Sequence, residues 1–392
     1  MRIKIGFLFI ISIWLYNSQI AAQTNFLNKK IAVFAPLYLD SAFDGTSYKL
    51  GNTSLPKYIL PGLEFYNGVM MAIDSLNAEE GNAEVLVFDS KGETTTMETI
   101  LSKPEMENVS LIIASFNNRT EIKMLADFAL QKKVPLISET YPNDGGVIEN
   151  PYFVLVNSTL RTHCDALYKY LQRFNSTDNL IWVKRQGAVE DMIQGFFVEL
   201  QKKTPSIALR MKTVDMGDSV NTALLINSLD SNRNNVLICA TLNEPFGNAI
   251  VRMMADNKVY KSMIVGMPTW DSFKELSKPE YKGVEIVYSS PYNFPRTDKL
   301  SVSISNKYRN RFQARPSDQV LKGFEAMYHF TKLLHKHQGE LINNLSDKSF
   351  KVFNDFDFQP IRFKRDSELP DYLENKKIYI IKKLDGQTKM VL

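Results

Sequence analysis

The sequence predicts an α/β protein of two lobes, each a Rossmann-like parallel sheet flanked by helices. Two observations carry this. Short apolar runs of strand length alternate with amphipathic stretches of helical period, the pattern of βαβ units. The alternation also runs twice: from Lys30 to Ser138, and again from Leu160, after a Pro-Asn-Asp-Gly-Gly loop at 142–146. No repeat of about 20–50 residues is present, so the repeating unit is a whole lobe.

The elements follow in order. Lys30–Leu37 (KIAVFAPL) is a strand stopped by Pro36. Asp40–Leu60 is polar and irregular. Gly62–Leu76 is a helix, because Leu63, Tyr66, Val69, Met70, Ile73 and Leu76 share one face. Glu84–Phe88 is a strand ending at Asp89, and Thr94–Leu101 a short helix. Val109–Ala114 and Val134–Ser138 are strands around a helix, Arg119–Gln131, and Tyr152–Val156 is extended. In the second run the helices are Leu160–Phe174, Val189–Lys202, Asn221–Leu229 and Phe246–Asp256. Its strands are Leu180–Lys184, Ala208–Val214, Asn235–Ala240 and Ser262–Gly266. An extended piece, Val284–Ser290, leads to two helices, Lys299–Phe312 and Ser317–His337. Pro316 ahead of a capping Ser317 opens the second. Phe358–Phe363 and Lys377–Lys383 read as strands, and Asp385-Gly386 as a hairpin turn.

Composition bounds the function. Hydrophobic residues are 44% and charged residues 23% of 392, a globular balance. A net charge of +4 is too small to point to nucleic acid. Two cysteines and four histidines cannot build a disulfide scaffold and leave little for metal chemistry. Cys164 and Cys239 either pair in an oxidising compartment or stay as separately buried thiols.

Met1–Gln23 has the layout of a signal peptide. Arg2 and Lys4 precede 12 apolar residues, Ile5–Tyr16. That is shorter than the roughly 20 residues a membrane span needs. Small residues up to Ala22 supply the cut, and removal leaves a charge of +2. The expected location is periplasmic or secreted.

Several segments together resemble type I periplasmic binding proteins, the fold of branched-chain amino acid receptors. IAVFAPLYLD and GLEFYNGVMMAIDSLN are similar to the family's first strand and helix. VFDSKGETTT and VSLIIASFNNRTEIKMLADFALQKKVPLIS are similar to its second to fourth strands. NPYFVLVNST is similar to the first crossover. VLICATLNEPFGNAIVRMMADN, IVGMPTWDSF and FQARPSDQVLKGFEAMYHFTKLL match later segments. The nearest look is to a Bacteroidetes branch that often carries LysM peptidoglycan-binding modules, for which there is no room ahead of Lys30. The resemblance implies three crossovers, near Tyr152–Ser158, Val284–Pro291 and Asn343–Phe353. The expected layout is a signal peptide (1–22), lobe 1 (23–155), lobe 2 (156–288) and returning lobe 1 helices (289–345). A C-terminal crossover and β tail (346–392) is expected to pack on lobe 2.

In open parallel sheets, ligands sit beyond the carboxyl ends of the strands. That rule selects Tyr38, Ser115, Asn117, Glu139, Thr140 and Tyr141 in the first lobe. In the second it selects Arg185, Asn243, Glu244 and Trp270. Ser115 and Asn117 offer donors at a helix start, unless Asn117 or Asn118 serves as its cap. Arg185 suits a carboxylate or phosphate, or is a solvated strand end. Trp270 stacks on a ligand or packs under its loop. Glu244 pairs with a ligand amine or caps the next helix. Amino-acid receptors of the family usually carry small hydroxyl residues and glycines after the third and fourth strands. Phe116 and Glu139-Thr140-Tyr141-Pro142 depart from that.

No nucleophile elbow or phosphate loop is present. His335 and His337 stand two apart on a helix, pointing different ways. The expectation is therefore a binding protein that is no enzyme and has no cofactor and no catalytic or metal residues. It would close two lobes around a small polar ligand, amino acid- or peptide-like, for ABC transport or sensing. The alternative is an envelope scaffold that uses the fold for protein contacts in cell-wall synthesis, as penicillin-binding-protein activators do. The expected partners are a small-molecule ligand and an ABC permease or envelope protein. Nucleic acid and membrane embedding are not expected, and a monomer is.

Overall fold

The computed structural model describes residues 29–79, 83–204, 208–364 and 366–392. The expected signal peptide lies outside these residues. The strands begin with β1 (Lys30–Ala35), β2 (Phe43–Asp44), β3 (Ser47–Tyr48), β4 (Glu84–Asp89), β5 (Val109–Ala114), β6 (Leu136–Ser138) and β7 (Phe153–Leu155). They continue with β8 (Asn179–Lys184), β9 (Met211–Asp215), β10 (Asn235–Cys239), β11 (Ser262–Val265) and β12 (Glu285–Ser290). The last four are β13 (Phe358–Ile361), β14 (Tyr372–Asn375), β15 (Tyr379–Leu384) and β16 (Gln387–Met390). The helices are α1 (Leu39–Ala42), α2 (Leu60–Glu79), α3 (Met97–Leu101), α4 (Thr120–Lys132) and α5 (Leu160–Phe174). After them come α6 (Ala188–Lys203), α7 (Thr222–Ile226), α8 (Glu244–Asp256), α9 (Lys299–Phe312) and α10 (Asp318–His337).

The chain divides into two units. Unit 1 takes the residues up to Asn157 and Phe294–Asn375; unit 2 takes Ser158–Asn293 and Lys376–Leu392. The unit 1 sheet runs β13-β14-β7-β6-β5-β1-β4, and the unit 2 sheet β16-β15-β12-β11-β10-β8-β9. In each, the first five strands to enter the sheet are mutually parallel, and in unit 1 β14 extends that run to six. Their order is second-first-third-fourth-fifth. Antiparallel strands occur only at one edge. The central strands are apolar end to end, as covering on both faces requires: Ile31–Ala35, Leu111–Ala114, Val236–Cys239 and Ile264–Val265 are buried.

Unit 1 depends on a return of the chain. Helices α2 and α10 pack backbone to backbone through two glycines. A Cβ on Gly68 would stand 2.0 Å from the Val320 carbonyl oxygen, and one on Gly323 would stand 2.1 Å from that of Phe65. Buried Glu325 then accepts the N–H groups of Phe353 (2.8 Å) and Asn354 (2.7 Å), and the Asn354 amide. Its burial pushes the carboxyl above the usual range. Phe330 of α10 stacks on Phe356, and Phe358 lies tilted against both.

These contacts correct the expectation for the C-terminal segment. Residues 346–375 belong to unit 1, and the last passage between units follows Asn375, well after Asn343–Phe353. The physical reason is that β14 pairs in parallel with β7 and carries β13 with it. Only β15 and β16 join unit 2, where β15 lies antiparallel on β12. The stretch read as irregular, Asp40–Leu60, contains α1 and the β2–β3 hairpin.

In unit 2, α5 is buried through Cys164, Leu167, Tyr168 and Leu171. Cys164 and Cys239 are both free and buried. Burial raises both thiols, Cys164 to about 12. His163 is 1% exposed, with Nδ1 2.9 Å from the Ser289 hydroxyl. Burial lowers its pKa to about 3. No described helix is long and apolar enough to cross a membrane.

Two predictions follow from this packing. Gly68→Ala and Gly323→Ala each force two helix backbones apart, at about 1–3 kcal/mol for overpacking. Both should lower the thermal melting point, and an unchanged melt would contradict the contact. His163 is neutral when folded and protonates below about 6.5 when unfolded. The unfolded state therefore binds more protons between about pH 6.5 and 3, and stability falls on acidification through that window. The slope is at most about 1.4 kcal/mol per pH unit. Urea unfolding at pH 7, 5 and 4 should show a shallower acid loss for His163→Asn than for the natural protein. Parallel slopes would refute the assignment.

Candidate functional site

The strand order locates the candidate site in each unit. The first strand connects to one side and the third lies on the other, so a crevice opens at their carboxyl ends. In unit 1 these are the ends of β1 and β5.

The β1 end is shaped by Asp89, the last residue of β4. Its carboxylate accepts the N–H groups of Leu37 (2.9 Å), Tyr38 (3.1 Å), Leu39 (2.7 Å) and Lys91 (2.9 Å). This set of bonds holds Tyr38 in a left-handed conformation, φ 52°. A non-glycine residue there is strained by about 1–3 kcal/mol and needs such support. Asp40 likewise accepts from the backbone of Thr94 (3.0 Å) and Glu93 (2.6 Å), which lowers its pKa.

Tyr38 and Asn117 meet: the Asn117 amide donates to the Tyr38 hydroxyl at 2.8 Å. The ring of Tyr58 stands edge-on to Tyr38 at 4.9 Å. Asn117 is not a helix cap. That task falls to Asn118, whose oxygen accepts from Thr120 (3.1 Å) and Glu121 (3.4 Å). Glu121 also pairs with Lys91.

Ser115 and Thr140 meet as well, 3.1 Å apart, bridging the ends of β5 and β6. Thr140 donates to the Phe116 carbonyl at 2.9 Å, and Asn157 donates to the Thr140 carbonyl at 2.6 Å. The Ser115 proton is left to Thr140, so both hydroxyl protons are used inside the protein. Glu139 is fully buried, with its N–H on the Ala114 carbonyl at 2.9 Å. Tyr141 is half-buried against the core that holds Phe116.

In unit 2 the corresponding ends are those of β8 and β10. Arg185 pairs with Glu190 at 3.0 Å and with Asp218 at 3.6 Å. Glu190 is 6% exposed and also accepts the Thr241 hydroxyl at 2.6 Å. Arg185 is therefore tied to its own unit rather than being a free solvated strand end. Asn243 caps α8, accepting from Phe246 at 2.9 Å. Glu244 is exposed at the first turn of α8. It lines a shallow surface cavity of about 420 Å³ with Asn248, Arg252 and Glu275.

Trp270 corrects the sequence reading. It is 0% exposed, donates its indole N–H to the Thr241 carbonyl at 3.2 Å and stacks on Phe273 at 5.5 Å. A Cβ at Gly266 would come within 2.2 Å of the ring. Trp270 is a core side chain and does not reach a ligand. Tyr58, Glu121, Glu190 and Asp218 join these networks without having been anticipated. An acid five residues after Arg185, in the first turn of a helix, was the available signal for Glu190. Among the described residues, no group of three or more His, Cys, Asp or Glu could hold a metal ion.

Asp89→Ala leaves the amides around Tyr38 without their acceptor, at about 1–3 kcal/mol for an unsatisfied group. Asp89→Asn keeps one acceptor oxygen and should lose less. Chemical denaturation of the two variants measures the difference, and equal losses would refute the acceptor role.

No protein-family model and no curated protein sequence matches the chain. Solved structures do. A Rhodospirillum rubrum protein assigned to branched-chain amino acid ABC transport is 12% identical. It covers 93% of this chain and 100% of its own, with a TM-score of 0.66. An ABC transporter substrate-binding protein of Desulfitobacterium hafniense in complex with Leu is 14% identical, with coverages of 93% and 99% and a TM-score of 0.55. The branched-chain amino acid transporter substrate-binding protein of Streptococcus pneumoniae in complex with isoleucine is 16% identical, with coverages of 93% and 99% and a TM-score of 0.51. With the strand orders described, these matches give the chain the type I periplasmic binding fold.

Proposed function

We propose that the chain is an exported solute-binding protein that takes a small polar ligand through its strand-end loops, for ABC transport or sensing. The observation that carries this reading is the polar, braced loop set at the switch point of unit 1: Asp89 fixes Tyr38, and Tyr38 meets Asn117. Bracing a strained residue at that end of a sheet is a cost a purely structural loop would not need. The similar structures support the same reading, since two of them hold an amino acid. On this reading, an ABC permease or a sensor is the partner.

A thermal-shift screen of the protein with amino acids, short peptides, nucleosides and sugars tests it. A ligand at 100 times its Kd adds about 2.7 kcal/mol to the native state. The expected result is a rise of several degrees with one class. No rise with any class would sink the proposal.

A further inference from the structure

Most of the charges at the strand ends of unit 1 are used internally. Asp89 is surrounded by four backbone N–H groups and Asp40 by Glu93 and Thr94. Lys91 is paired with Glu121, and both side chains are largely buried, at 14% and 12% exposed. Lys49 donates to the Asp40 carbonyl. The amides of α4 that would greet a carboxylate are already capped by Asn118. Arg119 is exposed, but its guanidinium lies against Gly146.

The groups that Tyr38, Tyr58 and Asn117 present are uncharged and aromatic. Tyr58 is 52% exposed and its edge contact keeps Tyr38 in place. Because the Tyr38 oxygen accepts from Asn117, its own O–H proton is free to donate outward. The Asn117 amide keeps a second N–H for a ligand, and its oxygen, which accepts a long bond from the Asn118 amide at 3.5 Å, keeps one lone pair. One hydroxyl donor, one amide donor and one amide acceptor stand beside an aromatic face. That set matches neighbouring hydroxyls on a ring whose C–H face packs on tyrosine. It is a poor match for a free amino acid. A zwitterion losing its water here would meet no unpaired counter-charge among these groups, and burying an unpaired charge is costly.

Building on the solute-binding reading, we infer that Tyr38, Tyr58 and Asn117 form a subsite for an uncharged, hydroxyl-bearing ring, either a sugar or the ribose of a nucleoside. The departure at Phe116 fits this assignment. Phe116 is 3% exposed and belongs to the core, so it takes no part in ligand recognition.

Isothermal titration of the whole protein tests the assignment with glucose and N-acetylglucosamine, adenosine and uridine, and leucine and glutamate. The expected result is saturable binding of a sugar or of a nucleoside, with leucine and glutamate silent. The sugar and nucleoside arms separate the two sources. Asn117→Ala and Tyr58→Ala should each weaken binding at least about tenfold, the scale of one lost hydrogen bond or ring contact. Tyr38→Phe, which keeps the ring and removes the O–H, should weaken it several-fold, and Arg119→Gln should leave it unchanged. Tyr58 is exposed, so its variant reports on binding without disturbing a core. Binding of leucine or glutamate alone, lost in Arg119→Gln, overturns the neutral-ring assignment and leaves solute binding intact. Sugar or nucleoside binding that none of the three site variants alters also overturns it. Silence with every probe overturns the neutral-ring assignment, while solute binding itself is judged by the broader thermal-shift screen.

Discussion

The backbone contact between α2 and α10 is the constraint on which unit 1 depends. Gly68 and Gly323 let two long helices approach closer than any side chain would permit. A helix-interior glycine costs about 1 kcal/mol relative to alanine, so two of them are a deliberate loss of helix propensity. The offset is the dense packing of α10, whose buried positions run from Val320 to Leu334. Once α10 is seated, Glu325 reaches the amides of Phe353 and Asn354 and fixes the path that follows. The segment then reaches β7 and adds β14 and β13 to the sheet. The non-contiguous make-up of unit 1 traces back to this one approach.

The strand-end loops obey a different rule, satisfaction of buried polar groups. Asp89 gathers the amides of a tight, strained turn. Glu190 gathers Arg185 and Thr241. Lys91 and Glu121 neutralise each other. Each device stabilises a loop by using charges that a charged ligand would otherwise need. Tyr38, Tyr58 and Asn117 leave amide, phenol and aromatic face accessible at these ends. The fold is shared at 12–16% identity with structures from amino acid transport, two of them holding an amino acid, and a shared fold does not by itself carry ligand chemistry along.

Much of the architecture was legible in the sequence because strand and helix periods are local signals. The helix at Lys299–Phe312 has the bounds its pattern predicts, and α10 starts one residue past Ser317, which caps it. The sheet order is not local, yet the doubled alternation already pointed to two parallel sheets. The misses have physical causes. β14 reads YLEN, too short and too polar to show alternation, and it is a strand because β7 offers a free edge. The β2–β3 hairpin spans two residues on each side.

The site was legible by position and not by role. Tyr38, Ser115, Asn117, Thr140, Arg185 and Asn243 all lie at strand ends, where the order of elements puts them. Their tasks were settled by neighbours far along the chain. Asn117 rather than Asn118 is free to meet Tyr38, 79 residues away. Trp270 is core because Gly266 and Gly247 leave room for its ring. Arg185 is tied inward because Glu190 is buried beside it. Hydrophobic period and connection order suffice to read the number of lobes, their parallel sheets and which loops stand at the strand ends. Which side chains remain accessible there depends on hydrogen-bond and charge satisfaction by partners that sequence spacing does not reveal.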